Sequence, residues 1–494
     1  MKVKKSITVQ LSKEEQENRK FNIIFIGIIL FISLVLQLLL FIKQPVNVWG
    51  DEAYTLTLIK NSWHNMWNII INDVHPPLYY IILKTATGIF GYKYRMIKAL
   101  SALPIFIMHL WITILVLKEK KYATERKTSI LLSLYIISTT ITDIFLFLST
   151  EIRMYSWATL FVTMSGVYAY RFYKNDNWSN ILIFVATSLG AALSHYYALF
   201  MVTYIYIIAF IFIIWKNRSL LKKYILACLI TVLGYLWWIP FGWAQFHRVK
   251  GSYWITYSFK DIPTYFSNIV GFDFKFEIII FALIIGEAIY SNFIIKNEKR
   301  QKKEKTIVAL LNISVLFFSV IFGFLLDALI RPMLVHRYVY PSLGLFWLGI
   351  FELIDQMRDY KKISTLIMAG VLGYVALNVY PARLAQEYET GTQPTISYVK
   401  ENISLTEPII CDAYNIYQPM HFYFPKRNVL DIETSEALNN QLENKRQIYW
   451  YYNYSDSSNK SDIIEKNNYD MIEKNSGNID NGWKYTLYEL VPQD

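Results

Sequence analysis

Apolar residues arrive in blocks along this chain, and the block lengths predict its elements. Residues 21–43 run FNIIFIGIILFISLVLQLLLFIK with no charge before Lys43, about the length needed to cross ~30 Å of hydrocarbon as a helix. The run is too long for a removable leader and lacks a small-residue cleavage site. Further apolar segments fall near 97–117, 129–149, 155–173, 181–197, 198–215, 224–241, 277–295, 306–328, 338–354 and 363–380, which predicts about eleven transmembrane helices. Segment 78–90 is too short to span and reads as an interfacial or re-entrant helix.

Composition agrees with lipid as the solvent. Of 494 residues, 54% are hydrophobic and 17% aromatic, and the mean hydropathy is +0.27, whereas soluble domains sit near roughly 45–50% apolar. The net charge of +11 hides an asymmetry: residues 386–494 carry 9 Lys/Arg against 17 Asp/Glu, and the rest carries 40 against 21. The basic residues flank apolar spans, so they report orientation rather than nucleic-acid binding. Two cysteines, Cys228 in an apolar span and Cys411 in the polar tail, supply neither a disulfide framework nor a thiolate metal site.

Lys/Arg placement sets the topology. With the N-terminal residues 1–20 (Lys2, Lys4, Lys5, Lys13, Arg19, Lys20) cytoplasmic, loops 118–128, 171–180, 216–223, 296–305 and 355–362 are cytoplasmic too, and all are short and basic. Counting 78–90 as a span would invert everything after it. The expectation is a multi-pass protein of the cell membrane with a transmembrane domain at 21–385, whose first extracytoplasmic loop is 44–96. An acidic extracytoplasmic domain follows at 386–494. There the run PIICDAY (408–414), a helix-like stretch to about 424, and strands at IYWYY (448–452) and WKYTLYELV (483–491) predict a small α/β fold. No solenoid repeat, glycine-rich phosphate loop or zinc-protease motif occurs.

The polar weight falls on the outer loops. VWGDEAYTL places Asp51 and Glu52 just past the first span; adjacent carboxylates repel, so one pKa should rise toward that of a proton acceptor. The competing reading makes Asp51 the N-cap of a helix over 52–60, with Glu52 favoured by its dipole. In IINDVHPPLYYIILK, two prolines stiffen the backbone and start a helix at 77 or 78, holding Asp73 and His75 before it; a plain structural turn would look the same. Lys98, Arg153 and Arg337 are cations on the face where positive charge is disfavoured, and an anionic lipid phosphate gives them a reason to be there. Pairing of Arg153 with Glu151 and snorkelling of Arg337 are the structural alternatives. His195 sits at a helix end beside Tyr196 and Tyr197, where a histidine is more often only a packed interfacial residue. The loop 241–259, FGWAQFHRVKGSYWITYSF, suits an aromatic belt or a sugar-stacking surface.

The order D-E, about twenty residues, then the contiguous D-V-H-P-P-L (Asp73–Leu78) resembles the first luminal loop of the protein O-mannosyltransferases and, more broadly, of glycosyltransferase family 39 and its bacterial relatives. KALSAL (98–103) resembles the family's R-x-x-S-A-L with Lys98 in place of arginine, STEIRMY (149–155) its E-x-R-x-Y, and HRYVYP (336–341) its R-Y-x-x-P; SHYY (194–197) and WWIPF (237–241) fit less specifically. The likeness covers most of 21–355. It implies a GT-C fold and inverting transfer of a sugar from a polyprenyl-phosphate carrier to an acceptor hydroxyl on the outer face. Asp51 would be the base, with Glu52 beside it, and Asp73 and His75 would position the acceptor. Lys98, Glu151, Arg153, Tyr155, His195, Arg337 and Tyr338 would hold the donor phosphate. Some relatives bind a divalent metal in the first loop, and nothing in these residues compels one. The tail does not match the β-trefoil insertion of eukaryotic members, so a protein Ser/Thr acceptor does not carry over; the acceptor is an envelope glycan, lipid or protein. The rival reading is a transporter or flippase for a lipid-linked sugar, which asks for ionisable residues within the spans, with Glu287 and Asp143 as candidates. A glycosidase needs two carboxylates across a sugar, and a bare membrane anchor leaves D-V-H-P-P-L unexplained.

Overall fold

The computed structural model describes residues 12–43, 48–119, 123–248, 258–266, 269–271, 273–294, 300–385, 392–432, 434–453, 460–479 and 483–493. Lys2, Lys4 and Lys5, and parts of the loops 118–128, 241–259 and 296–305, lie outside these residues. The described chain forms two compact units. One comprises residues from 1–41, 70–82 and 95–384; the other, residues from 42–69, 83–94 and 385–494.

The first unit is a helical membrane body. Among the described residues, seven helices are long and apolar enough to cross a bilayer: Lys13–Lys43, Tyr94–Lys118, Tyr196–Lys216, Arg218–Leu236, Phe274–Ile294, Arg300–Leu329 and Lys361–Ala385. The other predicted spans are helices as well, at Arg126–Ile141 with Asp143–Leu148, Tyr155–Lys174, Trp178–Ser194 and Leu343–Gln356. Their outward side chains are apolar, as at Phe31, Leu233 and Leu366, while Ser33, His109, Thr139 and Thr163 are buried. That inversion is what lipid demands, because buried polar groups must be satisfied internally. His109 Nε2 meets Thr139 Oγ1 at 2.7 Å, and Ser33 Oγ meets Thr140 Oγ1 at 2.7 Å, which ties three helices together. Pro104 lies inside Tyr94–Lys118 and has no N–H for the Leu100 carbonyl. Trp157 Nε1 donates to that carbonyl instead, at 3.1 Å. At Gly344 an added Cβ would stand 2.1 Å from Thr163 Oγ1, so only glycine allows helices Leu343–Gln356 and Tyr155–Lys174 to pack this closely.

The second unit holds the α/β domain. Strands β1 (Ile409–Cys411), β2 (Val429–Asp431), β3 (Ile448–Asn453), β4 (Tyr469–Ile479) and β5 (Trp483–Pro492) form one sheet in the order β2-β1-β3-β5-β4. β1 is parallel to β2 and β3, and β5 is antiparallel to β3 and β4. Both faces are buried. Ile409, Cys411, Tyr449 and Tyr451 face helices Thr392–Asn402 and Tyr414–Tyr423, and the alternate residues Ile410, Ile448 and Trp450 face Ser435–Leu442 and Lys460–Lys466. A period of two with both sets apolar is what a sheet covered on both sides requires. The sequence pattern predicts β1, β3, β5 and the helix before Phe424. It does not show β2, which has three residues, or β4, whose Met471 and Ile472 stand among polar neighbours on an edge strand. Helix Gly50–Lys60, which follows the first span, packs in this same unit, with Tyr54 against Tyr414 at 6.4 Å between ring centroids.

Candidate functional site

Four segments of the helical unit converge on one cluster. Pro76 and Pro77 are buried, and helix Leu78–Phe90 begins directly after them. Asp73 is held by a turn, its N–H donating to Ile70 O at 3.1 Å, and its Oδ2 accepts from Tyr80 Oη at 3.3 Å. His75 Nδ1 stands 3.4 Å from the same Asp73 Oδ2. On the far side of the imidazole, Arg153 Nη2 lies 3.1 Å from Nε2. A guanidinium only donates, so His75 Nε2 accepts and Nδ1 carries the proton, facing Asp73. His195 is fixed the other way. Its Nδ1 accepts the Tyr197 N–H at 3.1 Å while capping helix Tyr196–Lys216, which leaves its proton on Nε2.

Rings close the cluster. His195 lies 6.4 Å from His75, 5.7 Å from Tyr155 and 4.8 Å from Tyr338 between centroids, and Tyr338 lies 5.2 Å from Tyr197. Arg153, Arg337 and His75 are all close enough to act on His195 electrostatically. Arg153 is 2% exposed, and its backbone N–H donates to Glu151 O at 2.8 Å, closing a tight turn. Ser101 Oγ lies 2.7 Å from Tyr79 Oη, which joins the KALSAL segment to the one after D-V-H-P-P-L. Lys98 is buried one turn before it. The Thr159 hydroxyl and the Tyr340 carbonyl, 3.5 Å apart, tie STEIRMY's helix to HRYVYP. Asp73, His75, Arg153, Tyr155, His195, Arg337 and Tyr338 are thus gathered in one unit. A buried guanidinium, the His195 Nε2–H and several phenols are donors of the kind that suits an oxyanion.

Three supporting residues escaped the sequence reading. Gln245 accepts from Tyr196 Oη at 2.5 Å and donates to Ile70 O at 2.7 Å, and Arg248 donates to Asn72 Oδ1 at 2.5 Å. They clamp the segment that carries Asp73 and His75. Asp327 Oδ1 accepts the N–H groups of Met333 and Leu334 at 2.6 and 3.0 Å, shaping the loop before His336. Gln245 gives no signal in sequence, because its partners are a backbone carbonyl and a tyrosine about fifty positions away.

Asp51 and Glu52 belong to the other unit. The helix there starts at Gly50, with Trp49 as N-cap and no side-chain cap bond. Asp51 therefore sits in the first turn and is not the cap that one sequence reading made it. Both carboxylates lie at the positive end of the helix dipole, and Glu52 is buried. Among the described residues no three His, Cys, Asp or Glu side chains converge on a metal position. The Asp73–His75 pair does not fit a divalent ion either, since Arg153 occupies His75 Nε2. The candidates for an intramembrane ion path are tied down structurally. Asp143 forms a two-point ion pair with Arg383, at 2.7 and 3.0 Å, and Glu287 Oε1 accepts from Ser291 Oγ at 2.5 Å.

No family model and no curated protein matches the sequence. Among solved structures, the chain is similar to ArnT from Cupriavidus metallidurans in the apo state, with a TM-score of 0.58 and 10% identity over 94% of this chain and 98% of that one. The same protein bound to undecaprenyl phosphate gives a TM-score of 0.56 at 10% identity, with the same coverage. The chain has this GT-C fold: a polytopic helical body with a small α/β domain at its C-terminal end.

Proposed function

We propose that this protein transfers a sugar from a polyprenyl-phosphate carrier to an acceptor hydroxyl on the outer face of the cell membrane, with inversion. The observation that carries the reading is the Arg153–His75–His195 constellation, set in a fold shared with a protein crystallised with undecaprenyl phosphate. A polyprenyl phosphate is a good leaving group and needs no general acid, so the chemistry asks for one base and a cationic receptor for the departing phosphate. Arg153, Arg337 and Lys98 supply positive charge, and Tyr155, His195 and Tyr338, with Glu151 beside them, shape that receptor. His75, its proton turned to Asp73, orients the acceptor. Asp51 is assigned the base and Glu52 its neighbour, on their match to the motif of the resemblance. The orientation follows from the basic loops: N-terminus cytoplasmic, α/β domain outside.

The test is purified protein in detergent, polyprenyl-phosphate sugars as donors and an envelope extract as acceptor, with release of carrier phosphate as the readout. Product whose anomeric configuration is opposite to the donor's is expected. A parent protein that releases no carrier phosphate from any sugar donor, while moving lipid-linked sugar across a bilayer, would return the flippase reading.

A further inference from the structure

The second unit contains a cationic groove that the proposed transfer does not use. It is an open cavity of about 350 Å³ lined by Ile59, Lys60, Lys84, Thr87, Gly88 and Tyr92. Lys60 Nζ lies between two aromatic faces, 4.8 Å from the centroid of Tyr92 and 4.6 Å from that of Phe422. The Tyr92 ring is anchored by its hydroxyl, which donates to Leu56 O at 3.1 Å. Lys84 Nζ donates to Ile59 O at 2.9 Å and Asn61 O at 2.6 Å. It thereby covers the carbonyl end of helix Gly50–Lys60 and removes its partial negative charge from the groove. Burial lowers the Lys60 pKa, and no carboxylate among the described residues offsets that. Lys93, exposed and next to Tyr92, adds a third cation to this stretch of chain.

The rim is apolar and open to solvent. Ile89 and Phe90, which follow Gly88, are 69% and 63% exposed, and Trp63, which opens the helix after Lys60, is 52% exposed. Ammonium groups beside a protruding aromatic and aliphatic rim are the arrangement of a segment that lies in the bilayer interface. Its apolar side chains enter the acyl boundary and its cations meet headgroups.

We propose that this groove binds the phosphate of an anionic phospholipid headgroup and seats the second unit on the membrane surface. Lysine ammoniums on flexible stems suit a phosphate as point charges. The cavity lies at the small end of the usual range for ligand sites, which suits a headgroup. The proposal does not depend on the transfer reaction, and its test reads no activity.

Gly88 provides the test, because a Cβ built there meets nothing within 4 Å, and Gln, Lys and Glu all have better helix propensity than glycine. Full-length protein released from detergent micelles is titrated with phosphatidylglycerol, and bound lipid is counted by native mass spectrometry. Against a Gly88→Gln control, Gly88→Lys should retain the lipid more tightly and Gly88→Glu less tightly, each by roughly fivefold, the worth of one charge at a membrane surface. Lys60→Gln should weaken retention by a similar factor. Equal retention by the Lys and Glu variants would overturn the site. Glucose 1-phosphate that binds more tightly than phosphatidylglycerol, with the same charge dependence, would assign the groove to a soluble phosphate and overturn the lipid as its occupant.

Discussion

Arg153 donates through Nη2 to His75 Nε2 across 3.1 Å, although 78 positions separate the two residues. The contact fixes a tautomer, since it leaves the His75 proton on Nδ1, toward Asp73. It also holds a buried, planar cation beside the His75 and His195 rings.

Arg153→Ala should therefore weaken binding of a carrier lipid by roughly 1.5–3 kcal/mol, the worth of a charge-assisted contact. Arg337→Ala should cost about the same. Lys98→Arg should be tolerated, because charge is kept and a planar fork is gained. Equilibrium binding of polyprenyl phosphate to the purified variants measures all three. Unchanged binding with lowered thermal stability in the alanine variants would make these arginines structural.

Asp51→Asn keeps the shape of a first-turn residue and removes a proton acceptor. A lost base should slow sugar transfer by about 10²–10⁴-fold with donor binding intact. Full activity in this variant would end the base assignment.

The Asp143–Arg383 pair tests stability apart from chemistry. The side chains are 20% and 23% exposed, and the Asp143 N–H also donates to Val270 O at 3.1 Å. Asp143→Ala should destabilise the protein by about 1–2 kcal/mol, less than a fully buried pair because water still screens it. The readout is the thermal midpoint in detergent. Arg383→Ala should cost about as much, and the double variant should cost less than the sum of the two.

His336 lies flat on Tyr265, with centroids 4.1 Å apart and 14° between planes. Partial desolvation in this stack lowers its pKa below the usual 6.5, against a smaller opposing pull from Asp261, although one edge of the residue stays exposed. The folded protein then holds fewer protons than the unfolded chain. The contribution is complete above about pH 6.5 and is lost as pH falls through the lower folded value. Thermal midpoints measured from pH 8 to pH 5 should fall on acidification. His336→Phe, which keeps a stacking ring and cannot titrate, should fall less. Identical slopes would refute the assignment.

Orientation has its own measurement. Single cysteines at 258–266 should react with an impermeant thiol reagent in intact cells, and those at 300–305 only after permeabilisation. Labelling at 300–305 in intact cells would invert the topology.

The block lengths of apolar residues sufficed for the helical membrane class, because lipid imposes a length and a polarity on each span whatever its neighbours are. Runs of apolar and aromatic residues likewise exposed β1, β3 and β5, whose inward positions Ile410, Cys411, Trp450, Tyr451, Leu487 and Leu490 are buried. The edge strand β4 stayed hidden, since one side of it meets solvent and its pattern dissolves among polar residues. Contiguous motifs singled out Asp73, His75, Arg153, His195 and Arg337 one by one. That His75 and His195 lie 6.4 Å apart, with Arg153 across the first imidazole, is a fact about how distant segments pack. Gln245 carries no local signal, for its partners, the Ile70 carbonyl and the Tyr196 hydroxyl, are brought near only by folding. The Lys60 groove depends on Phe422, 362 positions away, to place a ring over an ammonium. Local chain chemistry decides which segments enter lipid and which pair as strands. Contacts at long separation decide what those segments build, because each is a choice among many apolar neighbours that only the packed structure makes.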